Sequence, residues 1–173
     1  MNTAVITTGR DYPDALAVAP YAAKNGYPLL FTDKNNLPDA TIEALIAWEI
    51  DHVHIIGGQG VISDTVTEHL KEMGININRI HGSNRFETAV EIVNYFHQGK
   101  KDHYYIATGL NFADALTGSV LAAKKESPVF LTRPAGLPSL VRDRIKSFEG
   151  HPFVLGGEGA VYVEVYDQLM QLQ

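Results

Sequence analysis

The chain has 173 residues, of which 45% are hydrophobic, and a formal net charge of -6 at pH 7. That is enough to bury a core in one domain or in two small fused ones. The acidic balance argues against nucleic-acid binding, which relies on clustered Lys and Arg, and the absence of cysteine excludes disulfides, thiolate metal sites and thiol catalysis.

Short apolar runs alternate with amphipathic segments along the chain, a pattern typical of β-strands alternating with α-helices. In each run, the side chains that would face either side of a strand are apolar, which is typical of strands in a parallel sheet with helices on both faces. The sequence therefore predicts an α/β fold with doubly wound parallel sheets. The predicted strands span residues 4–8, 28–32, 52–56, 77–81, 103–108, 128–132 and 152–155.

Prolines, glycines and one serine mark the predicted helix ends. Pro suits the first helical turn, Gly is the commonest residue just after a helix, and Ser is a favoured N-cap. The predicted positions are Pro38 and Pro138 in first turns, Gly26, Gly74 and Gly99 as C-terminal caps, and Ser63 as an N-cap.

No apolar run approaches the length of a membrane span, so we expect no membrane insertion. The start of the chain, MNTAVITTGRDYP, lacks the basic and apolar regions of an export signal. If the protein works outside a cell, we expect that such a signal has been removed or left out.

The segment Ile6 to Thr32 returns as Ile106 to Thr132, with eleven of 27 aligned positions identical and no gap. We predict a first repeat over residues 1–78 and a second, complete repeat over 79–173. The segment Arg79 to Gln98 opens the second repeat and has no counterpart before the first. We expect that the chain was cut there or that another chain supplies the missing piece.

One recurring motif is a strand, a Thr-Gly turn and an Asp in the first turn of the next helix. The Asp either stabilises the helix start through its charge or orients a Thr or sugar hydroxyl at the carboxyl edge of the sheet. Tyr12 and Phe112, beside these turns, either pack half-buried or stack on a sugar ring. The candidate residues are Thr8, Gly9 and Asp14 in the first copy and Thr108, Gly109, Asn111 and Asp114 in the second.

A second motif places Gly57-Gly58 and Gly156-Gly157 directly after strands. Such glycines either form a tight turn or let a phosphate approach the backbone amides. Neither copy has the dinucleotide-binding fingerprint or a Walker A sequence.

The third motif runs from Arg79 to Ala89. Asn84 is a predicted N-cap, and Glu87 lies three residues on, as in a capping box. Arg85 stands where the helix dipole gives a cation no benefit, so we expect a specific partner, either a carboxylate such as Glu87 or Asp114 or a ligand anion. His52 and His54 share a strand face without a third metal ligand nearby in the sequence, and we expect surface or edge histidines.

These residues resemble the cell wall-binding repeat 2 family. The matching segments are GSNRFETAVEI, YIATGLNFADALTGSVLAAKKESPVFLT and FVLGGEGAV, with ITTGRDYPDALAVAPYAAKNGYPLLFT, LPDAT and HIIGGQGVIS in the first copy. The resemblance implies Rossmann-like or flavodoxin-like repeats, usually three about a pseudo-threefold axis. It also implies a non-catalytic module of secreted Gram-positive proteins that attaches to an anionic wall polymer, teichoic-acid-like or a phosphate-bearing glycan.

This chain departs from the family pattern because it holds fewer than two full copies, so we expect self-association or a missing part. We expect no cofactor, no metal and no enzyme activity, with the polymer held by the three motifs through repeated weak sites. The alternative is a small enzyme or regulator that binds a nucleotide or sugar phosphate at the carboxyl edge of the sheet.

Overall fold

A computed structural model describes residues 2–97 and 102–172. It confirms the predicted α/β fold of two similar units with parallel sheets flanked by helices. The strands are β1 (Thr3–Thr8), β2 (Leu29–Thr32), β3 (His52–Ile56), β4 (Asn76–Ile80), β5 (His103–Thr108), β6 (Val129–Thr132) and β7 (His151–Leu155). The helices are α1 (Pro13–Asn25), α2 (Asp39–Ala47), α3 (Asp64–Glu72), α4 (Arg85–Phe96), α5 (Ala113–Lys124), α6 (Ser139–Lys146) and α7 (Val163–Met170).

The strands form two parallel sheets with the same central pairing. The first sheet has the order β2-β1-β3-β4 and the second has β6-β5-β7. In the first sheet, the connection from β1 leads to β2 on one side, and the connection from β2 leads back past β1 to β3 on the other side. The strand order therefore reverses between β1 and β3. In open α/β sheets, ligands bind in the crevice that such a reversal leaves at the carboxyl ends of the strands.

Two apolar cores hold these layers together. One lies between the first sheet and helices α2 and α3, and includes Ile6, Leu45 and Leu70. The other continues through both units, from Val5 in β1 to Phe130 in β6. Since burial of apolar surface is the main stabilising term in folding, the shared core joins the two units into one packed body.

Helix α4 connects the units. It follows β4 of the first sheet, but it packs against β6 and α6 of the second unit and against α1 of the first. The predicted boundary between residues 78 and 79 falls inside β4, which pairs with β3 along its whole length. The division of the chain at that position stays a prediction.

Most of the predicted helix ends lie within one or two residues of the observed ones. Gly26 and Gly74 have φ angles of 68° and 81°, as the left-handed cap requires. Pro38 and Pro138 stand one residue earlier than predicted, at the N-cap positions of α2 and α6. Gly99 lies outside the described residues.

Ser63 occupies the N-cap position of α3, but its side chain makes no capping hydrogen bond. Its Oγ is buried without a partner among the described residues. The expected capping hydrogen bond was therefore wrong, although the helix start was right.

The prediction of surface or edge histidines was wrong for His54. It is only 6% exposed, and its ring lies 4.8 Å from that of His52 and 5.1 Å from that of Phe96. Burial, followed by the nearby His52, lowers the pKa of His54 to about 4, because a charged ring in an aromatic cluster loses its hydration. None of the described helices is long and apolar enough to cross a membrane.

Candidate functional site

A cavity of about 380 Å³ opens at the carboxyl ends of β1 and β3, at the reversal point of the first sheet. It brings together residues from all three sequence motifs, which are far apart in the chain. The predicted site residues in its wall are Thr8, Asp14, Gly58, Asn84 and Arg85.

The Thr-Gly turn and the start of α1 form one wall. Thr8 Oγ1 accepts a hydrogen bond from the backbone N–H of Arg10 at 3.2 Å. Asp14 lies in the first turn of α1, as predicted, but the carboxylate that bonds to the helix start is Asp11, which accepts from the N–H of Tyr12 at 3.0 Å. No hydrogen bond joins Asp14 to Thr8 within the part of the chain that the structure describes. Asp14 lines the cavity beside Thr8.

The Gly57-Gly58 turn packs against this wall. Gly57 has a φ of 125°, and a Cβ added there would lie 3.1 Å from Asp14 Oδ2 and 2.7 Å from Val61 Cγ2. Left-handed backbone and close packing both favour glycine, which supports the tight-turn interpretation. Arg79 holds the turn from behind, since its Nη1 donates to the carbonyl oxygens of Gly57 at 2.8 Å and Ile62 at 3.0 Å.

The N-terminus of α4 forms the opposite wall. Asn84 is its N-cap, as predicted, because Asn84 Oδ1 accepts from the N–H groups of Phe86 and Glu87. The carboxylate of Glu87 accepts from the N–H of Ser83 at 3.0 Å and from Asn84 Nδ2 at 2.8 Å. The hydrogen bonds from Ser83 hold the pKa of Glu87 below its usual value. Several amides at this helix start are thus bonded within the protein.

Arg85 joins the two copies of the Thr-Gly turn. Its Nη2 lies 3.0 Å from Asp11 Oδ2 of the first copy, and its Nη1 donates to the carbonyl oxygen of Gly109 in the second copy at 2.7 Å. The partner is therefore neither Glu87 nor Asp114, the carboxylates named from sequence. About one third of the Arg85 side chain remains exposed at the cavity, with a relative exposure of 32%.

Asp14 is the most perturbed acid of the site. Burial raises its pKa to about 6, and the negative charge of Asp11 adds to the rise, while the cation of Arg85 opposes it. A carboxyl group with this pKa gains a proton in mildly acidic solution and then carries no charge. The charge of the cavity therefore changes near pH 6.

The second copy builds the same turns in a different setting. Thr108 Oγ1 accepts from the N–H of Leu110, as Thr8 does from Arg10, and Asn111 Oδ1 accepts from the N–H of Ala113. Gly156 has a φ of 103° and packs against the carboxylate of Asp114. Apart from Gly109, which bonds to Arg85, these residues are not brought into the cavity of the first copy. The predicted residues in this second group are Thr108, Gly109, Asn111, Asp114, Gly156 and Gly157.

Gly9 lies just outside the cavity, beside Phe31. Tyr12 packs on Phe112 with ring centroids 5.6 Å apart, and its hydroxyl donates to the carbonyl oxygen of Leu110 at 2.9 Å. This pair connects the two Thr-Gly turns. Of the two alternatives for these aromatic residues, packing or stacking on a sugar ring, the contacts support packing.

Sequence reasoning missed three polar residues of the cavity, namely Asp11, Ser83 and Thr88. Asp11 occupies the position that Asn111 holds in the second copy, so the repeat alignment could have indicated it. Ser83 and Thr88 are close in sequence to Arg85, but only the turn at Gly82 brings them to the cavity. No group of three or more metal-binding side chains occurs within residues 2–97 and 102–172.

Comparison with known proteins gives a consistent result. The family model for cell wall binding domain 2 matches residues 1–67 and 79–166. Among curated proteins, the chain is 39% identical over 169 residues to the N-acetylmuramoyl-L-alanine amidase LytC of Bacillus subtilis (strain 168), covering 97% of this chain and 33% of LytC. It is 35% identical over 172 residues to the amidase enhancer of the same organism, covering 97% of this chain and 23% of that protein.

Among solved structures, Cwp6 from Clostridium difficile superposes with a TM-score of 0.88 at 25% identity, covering 99% of this chain and 27% of Cwp6. The chain thus spans about a third or less of the length of these relatives. Because the family model covers both repeats, the chain belongs to the cell wall binding domain 2 family.

Proposed function

We propose that this chain is a non-catalytic module that binds an anionic polymer of the cell wall, teichoic-acid-like or a phosphate-bearing glycan, and that it acts at the cell surface. The observation that carries the proposal is the cavity that gathers Thr8, Asp14, Gly58, Asn84 and Arg85 at the reversal point of the first sheet. Membership of a cell wall binding family supports the same function.

In this proposal, Arg85 binds a phosphate of the polymer. Its two hydrogen bonds within the protein, to Asp11 and Gly109, fix the orientation of the guanidinium plane. A guanidinium has five N–H donors, so donors remain for a ligand on the exposed side. Charge-assisted hydrogen bonds of this kind contribute about 1.5 to 3 kcal/mol before screening by salt.

Hydroxyl groups beside Arg85 suit the sugar part of such a polymer. Thr8 Oγ1 and Thr88 Oγ1 each accept a backbone N–H, from Arg10 and from Gly82 respectively. Each hydroxyl therefore keeps its own hydrogen to donate to a ligand oxygen.

We further propose that binding is weak at one site and is strengthened by the polymer. Asp11 and Asp14 lie in the same cavity as Arg85, so the attraction for an anion is local and modest. A polymer that offers many equivalent units raises the effective concentration at each site. Moderate salt weakens such binding because it screens the exposed charges.

The test is sedimentation of the purified chain with Gram-positive cell walls, before and after acid extraction of their secondary polymers. We expect retention on intact walls that falls after extraction. Arg85→Ala should reduce retention about tenfold, which corresponds to one charge-assisted contact. Arg10→Ala is the matched control, since Arg10 also pairs with an aspartate, Asp33 at 3.1 Å, but lies outside this cavity. Equal retention of wild type and Arg85→Ala would contradict the proposed role of Arg85.

We also propose that two copies of the chain associate through an uncovered apolar surface. Phe31, Phe112 and Leu116 are 48%, 52% and 51% exposed, and they border a common hollow of about 350 Å³. Contiguous exposed apolar side chains of this kind are typical of protein interfaces. We expect a dimer by light scattering and a monomer for Leu116→Glu; a monomeric wild type at high concentration would contradict this proposal.

A further inference from the structure

A second polar groove lies between the edge strand β4 and helix α4. It has a volume of about 370 Å³, and its walls include Asn78, His81, Glu91, Asn94 and Tyr95. We propose that this groove is a subsite for a neutral sugar ring, next to the phosphate-binding cavity; the proposal rests on the proposed function.

The groove contains an unused hydrogen-bond donor. Asn78 Nδ2 is buried and has no hydrogen-bond partner within the described residues. A buried amide nitrogen without a partner costs free energy, so native structures nearly always satisfy such groups. A ligand hydroxyl in the groove would accept this hydrogen bond.

Helix α4 supplies both donors and acceptors on the other side of the groove. Asn94 Oδ1 accepts from Arg144 Nε at 2.7 Å, which leaves the amide nitrogen of Asn94 to donate. Glu91 makes no ion pair or hydrogen bond among the described residues, and its carboxylate oxygens accept hydrogen bonds. Sugar hydroxyls both donate and accept, and they match such a mixed set.

Tyr95 adds an aromatic surface. Tyr95 is 46% exposed, and its ring makes edge contacts with those of His54 at 5.5 Å and Phe96 at 4.8 Å. An aromatic ring that is half exposed provides apolar area for the face of a sugar ring, while its hydroxyl stays available to polar groups.

The charges favour a neutral ring over a second phosphate. Arg79 contributes to the wall of the groove, but its guanidinium is bonded to Gly57 and Ile62 behind the glycine turn. Arg144 is engaged by Asn94 at one end, and Glu91 would repel an anion. The groove therefore differs from the main cavity in the ligand group that it suits.

The two sites adjoin each other. His81 belongs to the groove, and its Nδ1 lies 3.5 Å from the position of a Cβ added at Gly58, which lines the main cavity. One polymer could therefore reach both sites, with more than one unit between the phosphate beside Arg85 and the sugar beside Tyr95, because Tyr95 lies ten residues, or about 15 Å, further along α4.

The binding experiment uses Tyr95→Leu, which keeps apolar volume but removes the ring. Its matched control is Tyr166→Leu, a 39% exposed tyrosine on α7. We expect Tyr95→Leu to lower wall retention about two- to tenfold, the range for loss of one aromatic contact, and Tyr166→Leu to leave it unchanged. Equal retention of Tyr95→Leu and wild type would overturn the subsite. If wild type itself is not retained on intact walls, the proposed function fails instead.

A second measurement does not depend on the folding of a variant. The wall polymer is cleaved at its phosphodiesters with hydrofluoric acid, and the neutral oligosaccharides are titrated into the labelled wild-type chain by NMR. We expect shifts of the side-chain amides of Asn78 and Asn94, while inorganic phosphate shifts Arg85. Oligosaccharides that leave both amides unmoved would overturn the proposal.

Discussion

The two α/β units differ most in how the same strand is covered. In the second unit, Leu131 of β6 is 1% exposed, whereas Phe31, at the equivalent place in β2, is 48% exposed. Helix α4 accounts for the difference, because it packs on β6 and no described helix takes that place on β2. Equivalent strands of the two copies therefore differ in burial, with β6 buried and β2 partly exposed.

At the carboxyl ends of the strands, the first unit is the more enclosed of the two. In the first unit, β4 follows beside β3 and leads into α4, which brings Asn84 and Arg85 to the cavity. In the second unit, β7 is an edge strand and Phe153 on it is 47% exposed. The cavity with Arg85 therefore needs the turns of one repeat together with the helix that opens the next.

The largest expected effect comes from removing Phe86, a buried side chain of α4, the helix that packs on β6. Phe86 of α4 is 7% exposed and Phe31 is 48% exposed. We expect Phe86→Ala to lower the free energy of unfolding by about 3 to 5 kcal/mol, the usual cost of removing a buried Phe. In the monomeric Leu116→Glu background, Phe31→Ala should cost less than about 1 kcal/mol. Urea denaturation measures both, and similar losses would contradict the difference in cover.

The two Thr-Gly turns should respond differently to one methyl group. A Cβ at Gly109 would lie 2.9 Å from Phe86 Cε1, whereas a Cβ at Gly9 would lie 3.5 Å from its nearest neighbour, Phe31 Cβ. We expect Gly109→Ala to cost about 1 to 3 kcal/mol because Phe86 must move, and Gly9→Ala to be nearly neutral. Thermal unfolding of both variants in the monomeric Leu116→Glu background tests this; a costly Gly9→Ala would show that β2 is covered within a single chain.

His54 should make the stability depend on pH, whereas Phe153, its counterpart in the second copy, cannot take up a proton. The folded pKa of His54 is about 4, below the ordinary value of 6.5. The unfolded state therefore binds the proton first, and stability present above pH 6.5 is lost as the pH falls towards 4, by up to about 2 kcal/mol. His54→Phe should flatten this part of the curve. An unchanged slope would show that the pKa of His54 is the same in the folded and unfolded states.

The smallest predicted effect is on ligand binding by Asp14. Its pKa of about 6 means that lowering the pH from 7 to 5 removes a negative charge from the cavity. We expect an anionic polymer to bind about fivefold more tightly at pH 5, from roughly 1 kcal/mol of lost repulsion. Asp14→Asn should bind equally at both values, and Asp33→Asn, outside the cavity, should behave as wild type. Sedimentation that weakens on acidification would contradict an anionic ligand at Asp14.

Much of the fold could be predicted because it depends on local patterns. The period of the apolar runs indicated seven strands, and Asn84 with Glu87 indicated the start of α4. The pairing of Arg85 could not be predicted, because Asp11 and Gly109 are 74 and 24 residues away in the chain. The burial of His54 likewise depends on Tyr95 and Phe96 of α4, which only the tertiary fold brings to β3.

The composition of the candidate site could be predicted only in part, because it depends on the tertiary fold as well as on the motifs. The glycine turns and the aspartates recur in both copies, so the repeat indicated two equivalent sites. Only the position of α4 distinguishes them, and no single motif carries that information. Which predicted residues line the cavity and which lie apart in the second copy therefore depends on how the two units pack together.

The most direct test of the proposed binding site places a larger side chain at one glycine turn at a time. Gly58 and Gly157 are equivalent, neither has a positive φ, and only Gly58 lines the cavity beside Arg85. Wall sedimentation of Gly58→Gln and Gly157→Gln compares the two copies with matched changes. We expect Gly58→Gln to abolish retention and Gly157→Gln to preserve it. Equal retention of the two variants, whether lost or kept, would contradict a binding site completed by α4.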